Sequence, residues 1–183
     1  ASERQDHSIK LPYGFNRIIT PHNIDSPMID LLNVKYILSL SDLSSPKLKK
    51  VFQEGQTRVY ENTNVFPRAF FVGETIRADN NEETIRKMFS EDLSKVALVS
   101  KGDAERNNYV VGQVRIVKYD ENRIDIESEN EGDGFLILTD VYYPTWNAEI
   151  DKVKTEIYKV NHACRGIFVQ KGKHKISFYN SIF

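Results

Sequence analysis

The sequence lacks several features that particular classes of protein require: multiple cysteines, long apolar runs and a surplus of positive charge. It has one cysteine, so no disulfide can form within the chain and no cage of several thiolates can hold a metal. Its longest uninterrupted apolar runs, such as residues 69–72 and 135–138, have four residues, whereas about 20 are needed to cross a bilayer. The 25 Lys and Arg residues nearly balance the 26 Asp and Glu residues, which argues against nucleic acid as a partner.

Glycine and proline are also scarce, and apolar residues are not. The chain has 9 glycines and 6 prolines in 183 residues, while 40% of its residues are hydrophobic and 11% are aromatic. This composition is typical of a folded domain and not of a disordered tail. The first residues are polar and lack the apolar stretch of a secretion signal, so we expect either a cytosolic protein or a piece of a longer one.

Motifs of common catalytic and cofactor sites are absent as well. The sequence has no Gly-x-Ser-x-Gly, Gly-x-Gly-x-x-Gly, Gly-Lys-Ser/Thr or His-Glu-x-x-His. The histidines lack metal-ligand spacing: His7, His22, His162 and His174. A metal pair of His162 and His174 on adjacent strands is an alternative, but ordinary histidines at strand edges are favoured. We therefore predict no catalytic residue, cofactor or metal in this chain.

The first half of the sequence predicts a small mixed unit of helices and strands. Residues 1–27 show neither a helical nor a strand period of apolar residues, so we predict an irregular lead-in. Ser26 can cap a helix that begins at Pro27 and presents Met28, Leu31 and Leu32 on one face. Strands are predicted at 34–40, 48–53, 57–61 and 67–72, as a small meander. Residues 80–83 begin a second helix with Ile85, Met88 and Phe89 on one face, and residues 95–99 form a strand.

The second half predicts an antiparallel β-sandwich. Residues 102–108 have no hydrophobic anchor and mark a boundary between subdomains at 28–105 and 109–183. Apolar and polar residues alternate around the turn 120–122, and residues 135–139, which are apolar up to the final Thr139, are suited to a central strand. Further strands are predicted at 146–150, 153–159, 164–169 and 173–179. We thus predict a β-dominant α+β fold with a jelly-roll-like sandwich as its second half.

The segment 140–146 is the most unusual stretch and suggests a binding surface. It places the single Trp and two tyrosines next to a carboxylate: Asp140, Tyr142, Tyr143 and Trp146. Aromatic faces stack on the apolar faces of sugars, while a carboxylate accepts hydrogen bonds from sugar hydroxyls. These four residues are therefore candidates for glycan binding. The alternative, which we favour on general grounds, is that Trp146 belongs to the core and the tyrosines seal the end of a sheet.

Three residues inside strand-like sequence are predicted to be structural. Arg68 and Arg165 are flanked by apolar residues, so we expect buried charges with carboxylate or carbonyl partners; anion recognition is the alternative. Cys164 could be a nucleophile, but its neighbours are typical of a strand. We therefore predict that Cys164 is a small buried hydrophobe.

Several of these stretches together resemble a known family. The matching segments are residues 32–38, 59–62, 66–70 and 135–146, followed by Asp151, Asn161, Arg165, Gly166, Gly172, Lys173 and His174. Their order is similar to the C-terminal region of YfhO-type bacterial membrane proteins, which are polytopic proteins of the GT-C glycosyltransferase type. Two positions depart from the family pattern, because Thr145 and Lys152 stand where the family has glycine. The geometry of both turns is then open.

The resemblance implies a location and a set of partners. The chain would be a noncatalytic domain on the extracytoplasmic face of the cell membrane, with a transmembrane segment following it. The chemistry on lipid-linked sugars would belong to the multi-pass part of the full-length protein. The implied partners are that transmembrane region and cell-envelope glycan. A free-standing carbohydrate-binding module and an enzyme with an unrecognised site are the alternatives.

Overall fold

Strands dominate the architecture in a computed structural model, which describes residues 23–100 and 106–180. Most of the predicted lead-in and most of the predicted boundary at 102–108 lie outside these residues. The described elements are α1 (Pro27–Leu31), β1 (Tyr36–Ser39), β2 (Leu48–Glu54), β3 (Thr57–Asn62), β4 (Ala69–Val72), β5 (Glu74–Arg77), α2 (Asn81–Met88), β6 (Val96–Val99), β7 (Arg106–Asn107), β8 (Gln113–Asp120), β9 (Arg123–Asn130), β10 (Gly134–Leu138), β11 (Trp146–Ile150), β12 (Val153–Thr155), β13 (Tyr158–Val160), β14 (Cys164–Val169) and β15 (Gly172–Asn180).

The described strands form three sheets. The small sheet has the order β1-β3-β2, the central sheet β4-β10-β14-β13-β6-β5-β7, and the outer sheet β12-β11-β15-β9-β8. Neighbouring strands are antiparallel, except that β5 and β6 are parallel. The predicted β-dominant α+β fold is confirmed. No helix among the described residues is long and apolar enough to cross a membrane.

The central sheet lies between the helices and the outer sheet. Phe135 and Ile137 of β10 join a core that includes Met88 of α2. Leu136 and Leu138 point the other way, into the core shared with the outer sheet. Side chains alternate across a strand, so an unbroken apolar run fits a strand that is covered on both faces. The predicted buried run and the sandwich are therefore both present.

The two predicted subdomains share the central sheet. Strands β4 to β6 come from the segment 28–105, whereas β10, β13 and β14 come from 109–183. The strand predicted as the last of the meander, β4, pairs with β10 and leaves the small sheet with three strands. Residues of both halves therefore contribute to the apolar clusters on the two faces of this sheet. The sequence did not reveal β5, because residues 74–77 contain a single strongly apolar residue.

One strand predicted in the second half is divided between two sheets. The strand predicted at 153–159 is two strands: β12 extends the outer sheet from β11, and β13 belongs to the central sheet. Between β12 and β13 the chain crosses from the outer sheet to the central sheet, and no Gly or Pro in 153–159 marks this crossing. Cys164 is buried in the central core, as predicted.

The predicted Ser26 cap is confirmed and Asn80 caps the second helix, but the buried faces of both helices differ from the predicted ones. The Ser26 hydroxyl accepts from the amide of Met28, and the Asn80 side chain accepts from the amide of Glu83. Leu32, at the end of α1, is exposed, and Ile29 is buried with Leu31 instead. In α2 the buried residues are Thr84 and Met88, while Ile85 and Phe89 are exposed. These short helices bury a narrow stripe because each contacts the core on one side.

A buried polar joint fastens the small sheet to α1. Lys47 Nζ lies 2.8 Å from Asp30 Oδ1 and donates to Ser26 O at 3.1 Å. Asn62 Nδ2 donates to the same Asp30 oxygen at 2.7 Å and to Val34 O at 3.0 Å. We call Asp30, Lys47 and Asn62 the polar joint. The joint is not evident in the sequence, because its members are separated by up to 32 positions.

Candidate functional site

One end of the sandwich gathers five side chains from five strands or their flanking loops. We call them the arginine cluster: Arg68, Tyr119, Asp140, Trp146 and Arg165. Strand β10 lies between β4 and β14, with Leu138 opposite Ala69 on one side and opposite Arg165 on the other. The residues that precede β4 and follow β10 therefore meet at the same end of the sheet as Arg165.

Asp140 is the central acceptor of the cluster. Arg68 Nη1 lies 2.9 Å from Asp140 Oδ1, and the Tyr119 hydroxyl lies 2.9 and 3.0 Å from the two Asp140 oxygens. The guanidinium carbon of Arg68 is 5.4 Å from the centre of the Tyr119 ring. Burial and the hydrogen bond to Asp140 raise the pKa of Tyr119. Tyr119 therefore keeps its proton at neutral pH and donates a hydrogen bond to the carboxylate.

Arg165 is held by a carbonyl and a ring. Only 4% of the residue is exposed, and its Nε and Nη2 donate to Val141 O at 3.0 and 2.8 Å. Its guanidinium carbon lies 3.8 Å from the centre of the Trp146 ring, a cation–π contact. Nη1 has no hydrogen-bond partner among the described residues. Burial lowers the pKa of Arg165, but a guanidinium remains charged at physiological pH.

The cluster carries one positive charge in excess. It holds the guanidinium groups of Arg68 and Arg165 and the single carboxylate of Asp140. Arg165 has the carbonyl partner that the sequence analysis expected of a buried arginine. Arg68 has a carboxylate partner, but 44% of its side chain is exposed, because it precedes β4 at the rim of the sheet. The expected buried position therefore describes Arg165 and not Arg68.

The four predicted glycan-binding residues occupy different surroundings. Trp146 is partly buried against the core between the sheets, and Arg165 covers one face of its ring. Tyr142 is partly buried, and its amide donates to Ala163 O at 2.6 Å. Tyr143, in contrast, is 63% exposed. Within the cluster, the Trp146 ring therefore supports Arg165 from the side of the core. Tyr143, three positions after Asp140, exposes its ring to solvent.

Tyr119 is the member that the sequence analysis missed. Its ring is exposed, and it lies in a strand predicted only as half of a hairpin. The pairing of β8 with β9 shifts between Ile116 and Lys118, which is a β-bulge. After the bulge Tyr119 faces Ile124, which points inward, so the ring turns toward the sandwich end that holds Asp140. Regular alternation through Val117 would have directed Tyr119 to the opposite face.

A second polar group lies at the other end of the outer sheet. His174 Nδ1 is 2.7 Å from Asp151 Oδ2, and His174 Nε2 is 3.1 Å from Gln170 O. Both ring nitrogens therefore lie within hydrogen-bond distance of an oxygen atom. Ser128 is opposite His174 in the sheet. Because these contacts occupy both ring nitrogens, neither is left to accept a proton from the Ser128 hydroxyl, and His174 and Asp151 form a structural clamp.

The other sequence candidates do not assemble into a site. His162 precedes β14, whereas His174 follows its far end, so the alternative metal pair is not brought together. Within 23–100 and 106–180, no group of three or more His, Cys, Asp or Glu residues could hold a metal. His7 and His22 lie outside the described residues. Burial raises the pKa of the Cys164 thiol to about 12, so the thiol is protonated and unreactive at neutral pH.

The arginine cluster therefore combines groups that suit a polar ligand. It offers a carboxylate acceptor, an exposed guanidinium, an excess positive charge and the exposed ring of Tyr119. Outside the cluster, Tyr143 adds a second exposed ring three positions after Asp140. Comparisons with known proteins add no assignment: no family model, no curated protein and no solved structure matches this chain.

Proposed function

We propose that this chain is a noncatalytic extracytoplasmic domain of a YfhO-type bacterial membrane protein, and that its arginine cluster binds cell-envelope glycan. The observation that carries the proposal is the contact between motifs that lie far apart in sequence. Asn33 Nδ2 donates to Phe66 O at 2.7 Å, and Asn33 Oδ1 accepts from the Thr139 hydroxyl at 2.5 Å. Arg68 and Asp140 are 72 positions apart and form an ion pair. The segments that carry the resemblance thus contact one another, which supports treating them as one unit.

The chemistry of the cluster favours a glycan that bears acidic or phosphate groups. Tyr143 and Tyr119 offer ring faces on which the C–H face of a sugar can stack. Arg68 can donate two parallel hydrogen bonds to a phosphate or carboxylate, and the excess positive charge attracts such a group. Trp146 contributes indirectly, since its ring holds Arg165 in place beneath the surface.

In this proposal the domain positions the glycan for the membrane-embedded part of the same protein. The full-length protein would be a glycosyltransferase that uses lipid-linked sugars, and its own transmembrane region would be the first partner of this domain. A free-standing carbohydrate-binding module is the second candidate, because every residue of the arginine cluster belongs to this chain. The sequence of the full gene product distinguishes the membrane-protein domain from the free-standing module. About 20 consecutive apolar residues next to the domain would indicate membrane attachment.

Binding is tested by titrating the 183-residue chain with a phosphate-bearing cell-envelope glycan oligomer and with the same oligomer lacking phosphate. We expect Tyr143→Ala to weaken binding of both oligomers about tenfold, because it removes a stacking face. Arg68→Gln should abolish the preference for the phosphate-bearing form. Val153→Ala is the matched control, because Val153 is equally exposed but lies at the far end of the β11–β12 hairpin.

Two results would contradict the proposal. One is the absence of measurable binding to either oligomer. The other is an equal loss of affinity in Val153→Ala and Tyr143→Ala. Trp146→Ala is a poor probe of stacking, because it removes the ring that supports Arg165 and would weaken binding through the fold.

A further inference from the structure

The small sheet exposes an apolar face. Leu38 and Leu40 are 70% and 71% exposed, and Tyr36 shares their face because side chains alternate along β1. In the register of the sheet, Leu38 lies opposite Val59, and Val59 lies opposite Phe52, which is also exposed. Apolar side chains thus run across all three strands as one continuous row. Contiguous exposed apolar surface of this kind marks an interaction site.

The opposite face of the small sheet is already in use. Tyr60 and Asn62 are buried there, and Asn62 belongs to the polar joint with α1. The exposed row is therefore the second face of a sheet that has one covering layer. Nothing in the described part of the chain packs on Leu38 or Leu40, since most of each side chain contacts solvent.

Lysines border one end of this face. Tyr36 lies opposite Glu61, and Glu61 lies opposite Lys49. Lys35 Nζ is 3.9 Å from Glu61 and 5.6 Å from the centre of the Tyr36 ring. Lys49 has no ion-pair partner among the residues that the structure describes. Two lysines against one carboxylate leave a positive charge at this end of the apolar row, whereas Glu54 lies on the same face at the other end, opposite Thr57. The whole chain has a net charge of −1.

The size of the face argues against a second copy of the chain. Three strands spaced about 4.8 Å apart and about six residues long cover roughly 300 Å². A stable protein interface needs about 800 Å² on each partner. A bilayer surface has no such requirement, because a few apolar side chains and neighbouring lysines give weak, reversible binding to anionic lipid.

We propose that the apolar face of the small sheet lies on the surface of a bilayer that contains anionic lipid. Leu38, Leu40 and Phe52 enter the boundary between headgroups and acyl chains, and Lys35 and Lys49 reach the lipid phosphates. This contact goes beyond the proposed glycan function and does not depend on it, because the small sheet and the arginine cluster use different residues.

The test is flotation of the 183-residue chain with vesicles of phosphatidylcholine, made with and without phosphatidylglycerol. We expect the chain to float with the phosphatidylglycerol vesicles and added salt to weaken this binding. Leu38→Ser with Leu40→Ser should reduce the bound fraction about tenfold. Lys49→Ser should reduce it about fivefold, and only for vesicles with phosphatidylglycerol. Val153→Ser, at a similarly exposed valine of the outer sheet, should bind like the unmodified chain.

Three outcomes would overturn the proposal. The first is no flotation with phosphatidylglycerol vesicles, and the second is an equal loss in Val153→Ser and in the double leucine variant. The third is a dimer in sedimentation equilibrium that Leu38→Ser with Leu40→Ser abolishes, because it would assign the face to a second copy. Unfolding curves of the double variant verify that it folds. Its glycan affinity should be unchanged, so failure of this proposal and failure of the glycan proposal are separate results.

Discussion

The central sheet and the small sheet place their apolar residues in opposite surroundings. Every residue of β10 (Gly134–Leu138) is buried, because helices cover one face and the outer sheet covers the other. In β2 (Leu48–Glu54) every residue after the first is exposed. The difference shows that the residues of a strand are buried on both faces only where other elements cover both faces of the sheet. An apolar residue on an uncovered face remains available for binding.

The two sheets also differ in what holds them in place. The central sheet is held by packing, including an edge-to-face contact of Phe135 and Phe168 with ring centres 5.0 Å apart. The small sheet depends on the polar joint, in which Lys47 and Asp30 are both buried. Truncating a packed side chain lowers the free energy of unfolding in proportion to the apolar area that is lost. Removing one partner of a buried ion pair leaves the other charge buried without compensation, so most of the contribution of the pair is lost at once.

The largest expected effect comes from truncating one aromatic ring in each sheet. Phe135→Ala should lower the free energy of unfolding by about 3–5 kcal/mol, because the ring is fully buried and leaves a cavity. Phe52→Ala should lower it by less than about 1 kcal/mol, because that ring is largely exposed. Urea unfolding of both variants measures the difference. Equal losses would remove the distinction between the two sheets.

The second effect concerns the polar joint. Lys47→Met leaves the Asp30 carboxylate buried without its cation, so we expect a loss of about 3 kcal/mol. Amide hydrogen exchange should accelerate in β1, β2 and β3 and stay slow in β10. Lys118→Met is the control, because Lys118 pairs with Asp120 on the surface and should contribute less than about 1 kcal/mol. Uniform acceleration across both sheets would show that the small sheet does not open by itself.

The third effect is a gain, at the rim of the outer sheet. The turn between β11 and β12 places Asp151 at φ 51° and Lys152 at φ 71°, both in the left-handed region. This backbone suits a two-residue hairpin loop in which glycine is favoured. Lys152→Gly should therefore raise the free energy of unfolding by about 1 kcal/mol. Lys154→Gly, within β12, should lower it by up to about 1 kcal/mol. A loss in Lys152→Gly would contradict the strained turn.

The smallest effect is the pH dependence of the Asp151 clamp. Hydrogen bonds from the Lys175 amide and from His174 hold the pKa of Asp151 below its ordinary value of 3.8. The carboxylate therefore adds stability above that value, and the contribution is lost as the pH falls through the lowered pKa. Because half of the Asp151 side chain is exposed, we expect less than about 1 kcal/mol. Asp151→Asn should be less stable than the unmodified chain near about pH 6 and equal to it in strong acid. A constant difference across that range would assign the effect to another group.

The candidate site was predictable only in part. Arg68, Asp140, Trp146 and Arg165 stand out in the sequence because polar and aromatic residues at strand ends are unusual neighbours. Tyr119 does not stand out, because the bulge that turns it toward Asp140 depends on how β8 pairs with β9. The sequence also could not reveal that Arg165 covers the Trp146 ring, since that contact joins two different sheets.

The sequence by itself determined the local features: the Ser26 cap, the hairpin of β8 and β9, and the buried run of β10. These features follow from side-chain chemistry and periodicity within a few residues. Only the tertiary structure decided that β4 joins β10, that both halves contribute strands to the central sheet, and that the small sheet keeps an open face. The physical reason is that periodicity marks which side chains can be buried, whereas the partner that buries them is a distant part of the chain.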